Sequence, residues 1–252
     1  MRNRHQQNDG ESHEWCGRSP LAGFTLIELL VTITIIAVLA SAGFGAFQHA
    51  RMLGKRSACA SNMRQIGGAI VQHACENAGW MPTTAHTDAG ESWIYQLEPI
   101  LGTDFDRLRI CPADPKAKER LVSKGTSYLL NEYTSVDLDD GLGTTLESYR
   151  NLTRLESPGE TPIVFIASDT IGVAPTNDHT HSRNWRSWNS VIADIAPDRH
   201  RTGDSNNDHT QGSANYVFAD GRVESLSADT LKERYFDLGI NFACPPEGRS
   251  TP

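Results

Sequence analysis

The chain has little of what most enzymes and nucleic-acid binders need. Positive charge is in deficit: 23 Lys and Arg stand against 31 Asp and Glu, a formal net charge of −8. The deficit lies in residues 80–252, with 16 basic against 26 acidic side chains, whereas residues 1–79 carry 7 against 5. An acidic body offers no surface for neutralising phosphates, and the aromatic residues do not interleave with basic ones, so no nucleic acid is expected as a partner. The five cysteines (Cys16, Cys59, Cys75, Cys111 and Cys244) contain no Cys-x-x-Cys pair, which removes the usual zinc-ribbon and thioredoxin readings. Also missing are a Gly-x-Ser-x-Gly elbow, a P-loop, a glycine-rich dinucleotide turn and a His-Glu-x-x-His pair. No catalytic residue is therefore assigned, and enzyme activity is not expected. Proline is absent between Pro20 and Pro82, so a helix entering near residue 24 meets no obligatory break before about residue 77.

What the chain does have is one long apolar run. Mean hydropathy over the whole sequence is −0.43, yet "FTLIELLVTITIIAVLASAGFGAF" fills residues 24–47. At ~1.5 Å per residue its 24 residues span about 36 Å, enough to cross a ~30 Å hydrocarbon layer with some tilt. The run exceeds the 7–15 apolar residues of an ordinary secretory signal. Neither a signal nor a plain single-pass anchor explains Glu28, because an ionised carboxylate within lipid costs roughly 2.5 kcal/mol or more and usually marks a pairing function. Snorkelling toward the headgroups is the alternative.

"GFTLIELL" resembles the processing site of type IV prepilins and of the pseudopilins of type II secretion. The resemblance implies cleavage by a prepilin peptidase after Gly23, N-methylation of Phe24 as the new first residue, and an assembly role for Glu28, whose acid would face the terminal ammonium of a neighbouring subunit. It also implies a single-pass protein of a bacterial inner membrane with its head on the periplasmic or extracellular side. The leader of 23 residues, with Asp9, Glu11 and Glu14, is longer and more acidic than leaders usual in that family. Basic residues on the two sides of the segment show no bias that would set the topology.

Beyond the apolar run, Cys59, Met63, Ile66, Ile70 and Ala74 recur at steps of three and four, an amphipathic stripe. The pair Gly67-Gly68 either lets a sheet approach closely or weakens the helix, and Gly79 followed by Pro82 ends it. "ESWIYQLEPIL" predicts a short helix, "GTSYLLNEY" a strand, and residues 161–167 of "ETPIVFIASD" a buried strand. "SANYVFADGRVESL" predicts a hairpin closed by a two-residue turn at Asp220-Gly221, with positive φ at both. The expected fold is α+β and pilin-like: a leader over 1–23, a long helix over 24–79 that is transmembrane in its first half, and a head over 80–252 with a small antiparallel sheet on the helix's C-terminal half.

"CASNMRQIGGAI", "ICPAD", "SYLLNEY" and "RH…ANYVFADGRV" together resemble the large prepilin-like families of planctomycete-type bacteria, which share a C-terminal signature of His, nine residues, then Asp-Gly. Ten residues intervene between His209 and Asp220-Gly221, not nine, while Arg199-His200 matches the dipeptide but needs an insertion, "RTGDSNNDHTQ". Either histidine thus fits with one departure.

Two patterns in the polar tract 169–212 bear on metals. His179 and His181 alternate in "DHTH" and on an extended strand face one side. Asp204, Asn206 and Asp208 occupy positions one, three and five of a calcium loop, but His209 sits where glycine is wanted and Asn215 where a bidentate glutamate is wanted. Solvated loop residues are the default reading of both patterns, and no cofactor is assigned, calcium being the candidate that the first three loop positions allow. The function these observations imply is a structural subunit of a pilus-like or secretion-pseudopilus filament, with other pilin-like subunits, the peptidase and membrane lipid as partners. Two alternatives are a membrane-anchored ligand- or metal-binding protein that does not polymerise, and a tethered hydrolase using His200 or His209.

Overall fold

The computed structural model describes residues 23–84, 92–236 and 238–248; the expected leader before Gly23 lies outside them. Among these described residues one helix, α1 (Leu26–Glu76), dominates the order of elements, followed by short helical turns and six strands: β1 (Tyr128–Leu130), β2 (Leu138–Asp139), β3 (Thr145–Glu147), β4 (Pro162–Ile166), β5 (Ser213–Phe218) and β6 (Val223–Ser227). Compact units divide at residues 45 and 46, within α1. The fold is α+β, with a long apolar N-terminal helix and a four-stranded antiparallel sheet.

In the first unit α1 is apolar on every face and buries none of them. Leu26, Ile27, Leu29, Leu30, Ile33, Ile36 and Leu39 are all more than half exposed, and the most apolar stretch is long enough to cross a membrane. A helix that is hydrophobic all round needs lipid or other helices about it.

In the second unit the same helix becomes amphipathic, as its periodicity predicts. Cys59, Met63, Ile66 and Ile70 are fully buried and Ala74 nearly so, each large side chain contributing about 1.5–3 kcal/mol. Gly67 explains how closely the sheet can lie. A Cβ there would meet Val217 Cγ1 at 2.7 Å and the Gly221 carbonyl oxygen at 3.2 Å, whereas one on Gly68 would meet nothing within 4 Å. The first glycine of the pair is a packing requirement and the second is not. The helix stops after Glu76 where the Gly79 N–H turns back to Ala74 O at 2.7 Å.

Strand order is β1-β4-β5-β6, antiparallel throughout, and β2 pairs with β3 separately. Both central strands are almost wholly buried, and Pro162 stands at the first position of β4, where a missing N–H is tolerated. Phe165 knits the sheet to the loops, with ring centroids 5.8 Å from Tyr216, 5.8 Å from Trp185 and 6.0 Å from Phe242. The β1 edge is covered, since the Leu130 N–H donates to Asp178 O and its carbonyl accepts from the Thr180 N–H, both at 2.9 Å.

The hairpin corrects one expectation. Val217 pairs with Val223, the Phe218 N–H donates to Arg222 O and the Gly221 N–H donates to Phe218 O. The loop is thus three residues, 219–221, and of its members only Gly221 has positive φ, +85°. This is a type I turn closed by a left-handed glycine, the usual three-residue hairpin. The Asp-Gly dipeptide marked the turn's place but not its length. Asp220 serves instead through its side chain, Oδ1 accepting the Arg222 N–H at 3.0 Å.

Candidate functional site

The N-terminal segment is built around Thr25. Gly23 and Phe24 are exposed and precede the helix, so the expected scissile bond is accessible. Thr25 caps the helix: its Oγ1 accepts the Glu28 N–H at 3.2 Å, while Glu28 Oε2 accepts the Thr25 N–H at 2.9 Å and the Thr25 hydroxyl at 2.8 Å. That reciprocal pair is a capping box, and it satisfies two backbone donors at the helix start. Its signal, Thr-x-x-Glu before an apolar run, stands at residues 25–28 and the reading from lipid cost alone passed over it. Both local bonds fall on Oε2 of Glu28. Residues 20–44 match the family model for the prokaryotic N-terminal methylation motif. The segment is similar to a prepilin-type amino terminus. Neither the curated proteins nor the solved structures contain a match to the chain. A prepilin-type terminus carries the expectation of processing by a prepilin peptidase, and with the apolar α1 it fits a membrane-anchored single-pass protein.

In the head, the expected polar residues are placed as follows. The rings of His179 and His181 stand 5.4 Å apart, with His179 Nδ1 3.1 Å from Asp178 Oδ1 and His181 Nδ1 3.2 Å from Asp194 Oδ1. Asn206 turns to Thr210, its Oδ1 accepting that N–H at 3.0 Å and its Nδ2 donating to that hydroxyl at 2.8 Å. Asp204 and Asp208 are exposed, and Asp208 lies 3.8 Å from Lys232 Nζ. His209 Nδ1 lies 3.1 Å from Asp198 Oδ1 and from Ser205 Oγ. Of the two signature candidates, His209 stays in this polar loop and His200 enters the core.

There His200 joins two cysteines far away in sequence. The ligating atoms of Cys59, Cys111 and His200 all lie within 4.8 Å of one another, and all three residues are buried. Cys111 Sγ is 3.9 Å from His200 Nε2, and Cys59 Sγ is 3.6 Å from the Tyr128 hydroxyl and 3.9 Å from Met63 Sδ. Burial pushes the Cys59 thiol up, but hydrogen bonds from Cys111, Tyr128 and Asn215 and the charge of Arg199 outweigh it, leaving the thiol below its ordinary value. Hydrogen bonding to Cys59, burial and the charge of Cys59 push Cys111 well above, His200 offsetting only in part. Each member stood in a quoted stretch, Cys59 on the helix stripe, Cys111 in "ICPAD" and His200 in "RH", but nothing in their spacing announces that they meet. No disulfide joins any of the four described cysteines, and Cys16 lies outside the described residues.

The same "CPAD" stretch anchors a buried ion pair. Asp114 Oδ2 accepts from Arg120 Nε at 2.8 Å and from the Ser127 hydroxyl at 2.6 Å, while Arg120 Nη1 donates to Thr126 O and Gly172 O. Its role is to tie loops beside the thiol cluster.

Proposed function

We propose that the chain is the precursor of a membrane-inserted filament subunit, cut after Gly23, N-methylated on Phe24, and held in a pilus-like or secretion-pseudopilus polymer through its apolar helix. The observation that carries the reading is the methylation-motif match over residues 20–44. The bare apolar surface of α1 supports it, because copies packed side by side would cover what the single chain exposes. Head-to-tail packing of copies or relatives is heterologous and gives an open polymer.

Glu28 gives the assembly step its chemistry. With Oε2 taken by Thr25, the other carboxylate oxygen is left to meet the ammonium of an adjoining subunit, so two charges each costly in lipid neutralise one another. The head would face the periplasm or cell exterior, its work structural rather than catalytic. The deciding experiment is the mass of the mature N-terminal peptide from cells making the cognate peptidase. It should begin with methylated Phe24, and an intact leader refutes the proposal. Glu28→Ala should still be processed yet fail to co-assemble; equal incorporation into filaments counts against the assembly role.

A second reading, a membrane-anchored metal-binding protein that does not polymerise, draws on the Cys59–Cys111–His200 cluster. It requires location and oligomeric state to be indifferent to Glu28→Ala.

A further inference from the structure

We infer that Cys59, Cys111 and His200 form a binding site for a thiophilic closed-shell metal ion, Zn(II), in the core of the head. The three ligating atoms converge within 4.8 Å from three separate parts of the chain: α1, the loop before Asp114, and the segment leading into β5. Tetrahedral ligands at a Zn–S distance of about 2.3 Å stand about 3.8 Å apart, and the Cys111 Sγ to His200 Nε2 separation is already 3.9 Å. Closing the set needs shifts of well under the length of one bond.

His200 supplies an independent observation. Its side chain is buried, Nδ1 has no hydrogen-bond partner, and Nε2 faces only a thiol, a weak hydrogen-bonding group. A buried imidazole with no strong partner for either nitrogen is costly to keep. Ligation through Nε2 relieves one of the two.

The donor set selects the metal. Two sulfurs and an imidazole suit Zn(II) or Cu(I) rather than hard cations. On binding, each thiol gives up its proton to solvent and the imidazole stays neutral. Two thiolates and a dication then sum to zero, whereas Cu(I) would leave a negative charge buried, so Zn(II) is the better fit. Three protein ligands leave a fourth position. His200 borders a surface groove of about 540 Å³, shared with Met52, Arg56, Thr202 and Ser213, which is the side of the cluster nearest to solvent on the His200 ligand.

The test uses the full chain, purified in detergent and reduced, with Cys75→Ser to remove the exposed thiol. After incubation with Zn(II) and desalting against a competing chelator, one zinc per chain should remain, and the melting temperature should rise with free zinc. Co(II) in its place should show a thiolate charge-transfer band. Cys111→Ser should weaken retention more than about 100-fold, since losing even an outer-shell partner costs 10–100-fold; Cys244→Ser should not change it. Should the serine variant fail to fold, the stoichiometry and cobalt band of the Cys75→Ser chain decide alone. The inference is overturned by less than stoichiometric zinc on the reduced chain, by retention unchanged in Cys111→Ser, by preference for Cu(I) over Zn(II), or by a Cys59–Cys111 disulfide in protein isolated from the cell whose reduced form ignores zinc.

Discussion

At the residue scale, environment separates charges that composition treats alike. Asp114 and Arg120 are paired with about 1% of either side chain exposed, whereas Asp104 and Arg107 form a pair in which both are more than half exposed. Removing one member of the buried pair leaves an uncompensated charge, so Asp114→Ala should cost about 3–5 kcal/mol. Arg107→Ala should cost less than about 1 kcal/mol. Denaturant midpoints for the two variants check the contrast. Neither Arg120 nor the cluster of Cys59, Cys111 and His200 was legible in the sequence, because the buried place of Arg120 is completed by the distant carbonyls of Ser168, Ile171 and Gly172, and the cluster joins three parts of the chain far apart in sequence. Glu28 was legible for a different reason: a carboxylate in an apolar run contradicts its surroundings and needs no partner to be noticed.

At the scale of elements, α1 and the hairpin show what periodicity carries. The stripe from Cys59 to Ala74 could be read as a buried face because a helix repeats every 3.6 residues, and the strand over residues 161–167 because its apolar run has turn residues on both sides. The hairpin loop was misjudged by one residue, since Asp-Gly serves two-residue and three-residue turns alike and only the register of Val217 and Val223 decides. Gly67 and Gly68 are adjacent, identical and unequal. Gly67→Ala should destabilise the head by about 1–3 kcal/mol through contact with Val217 and the Gly221 carbonyl. Gly68→Ala, with open space around it, should stabilise by about 0.5–1 kcal/mol through helix propensity. Thermal unfolding of both variants, measured side by side, would separate a packing glycine from a merely permissive one.

For the whole molecule, pH sets an upper bound on stability. Burial, with the charge of Cys244 next, raises the Tyr133 phenol to about 12. Burial, with the charge of Glu147 next, raises Tyr149 to about 12. An unfolded phenol titrates near 10, so the folded chain holds these protons more tightly. Their contribution is whole below about pH 10 and is lost as the pH climbs to about 12. Melting temperatures taken across that window should fall, and the double variant Tyr133→Phe, Tyr149→Phe should fall less steeply.

If the proposed function holds, the capping box at the start of α1 bears on how a subunit would wait in a bilayer. A carboxylate already holding a neighbouring hydroxyl and amide on one oxygen is a less naked anion than a bare one, and hydrocarbon penalises it less. On the proposed function an idle copy would therefore persist between synthesis and recruitment, its remaining oxygen left to meet a neighbour. Thr25→Val, isosteric but lacking the hydroxyl, should shorten that lifetime, visible as faster turnover in a pulse-chase of cells that cannot polymerise the protein.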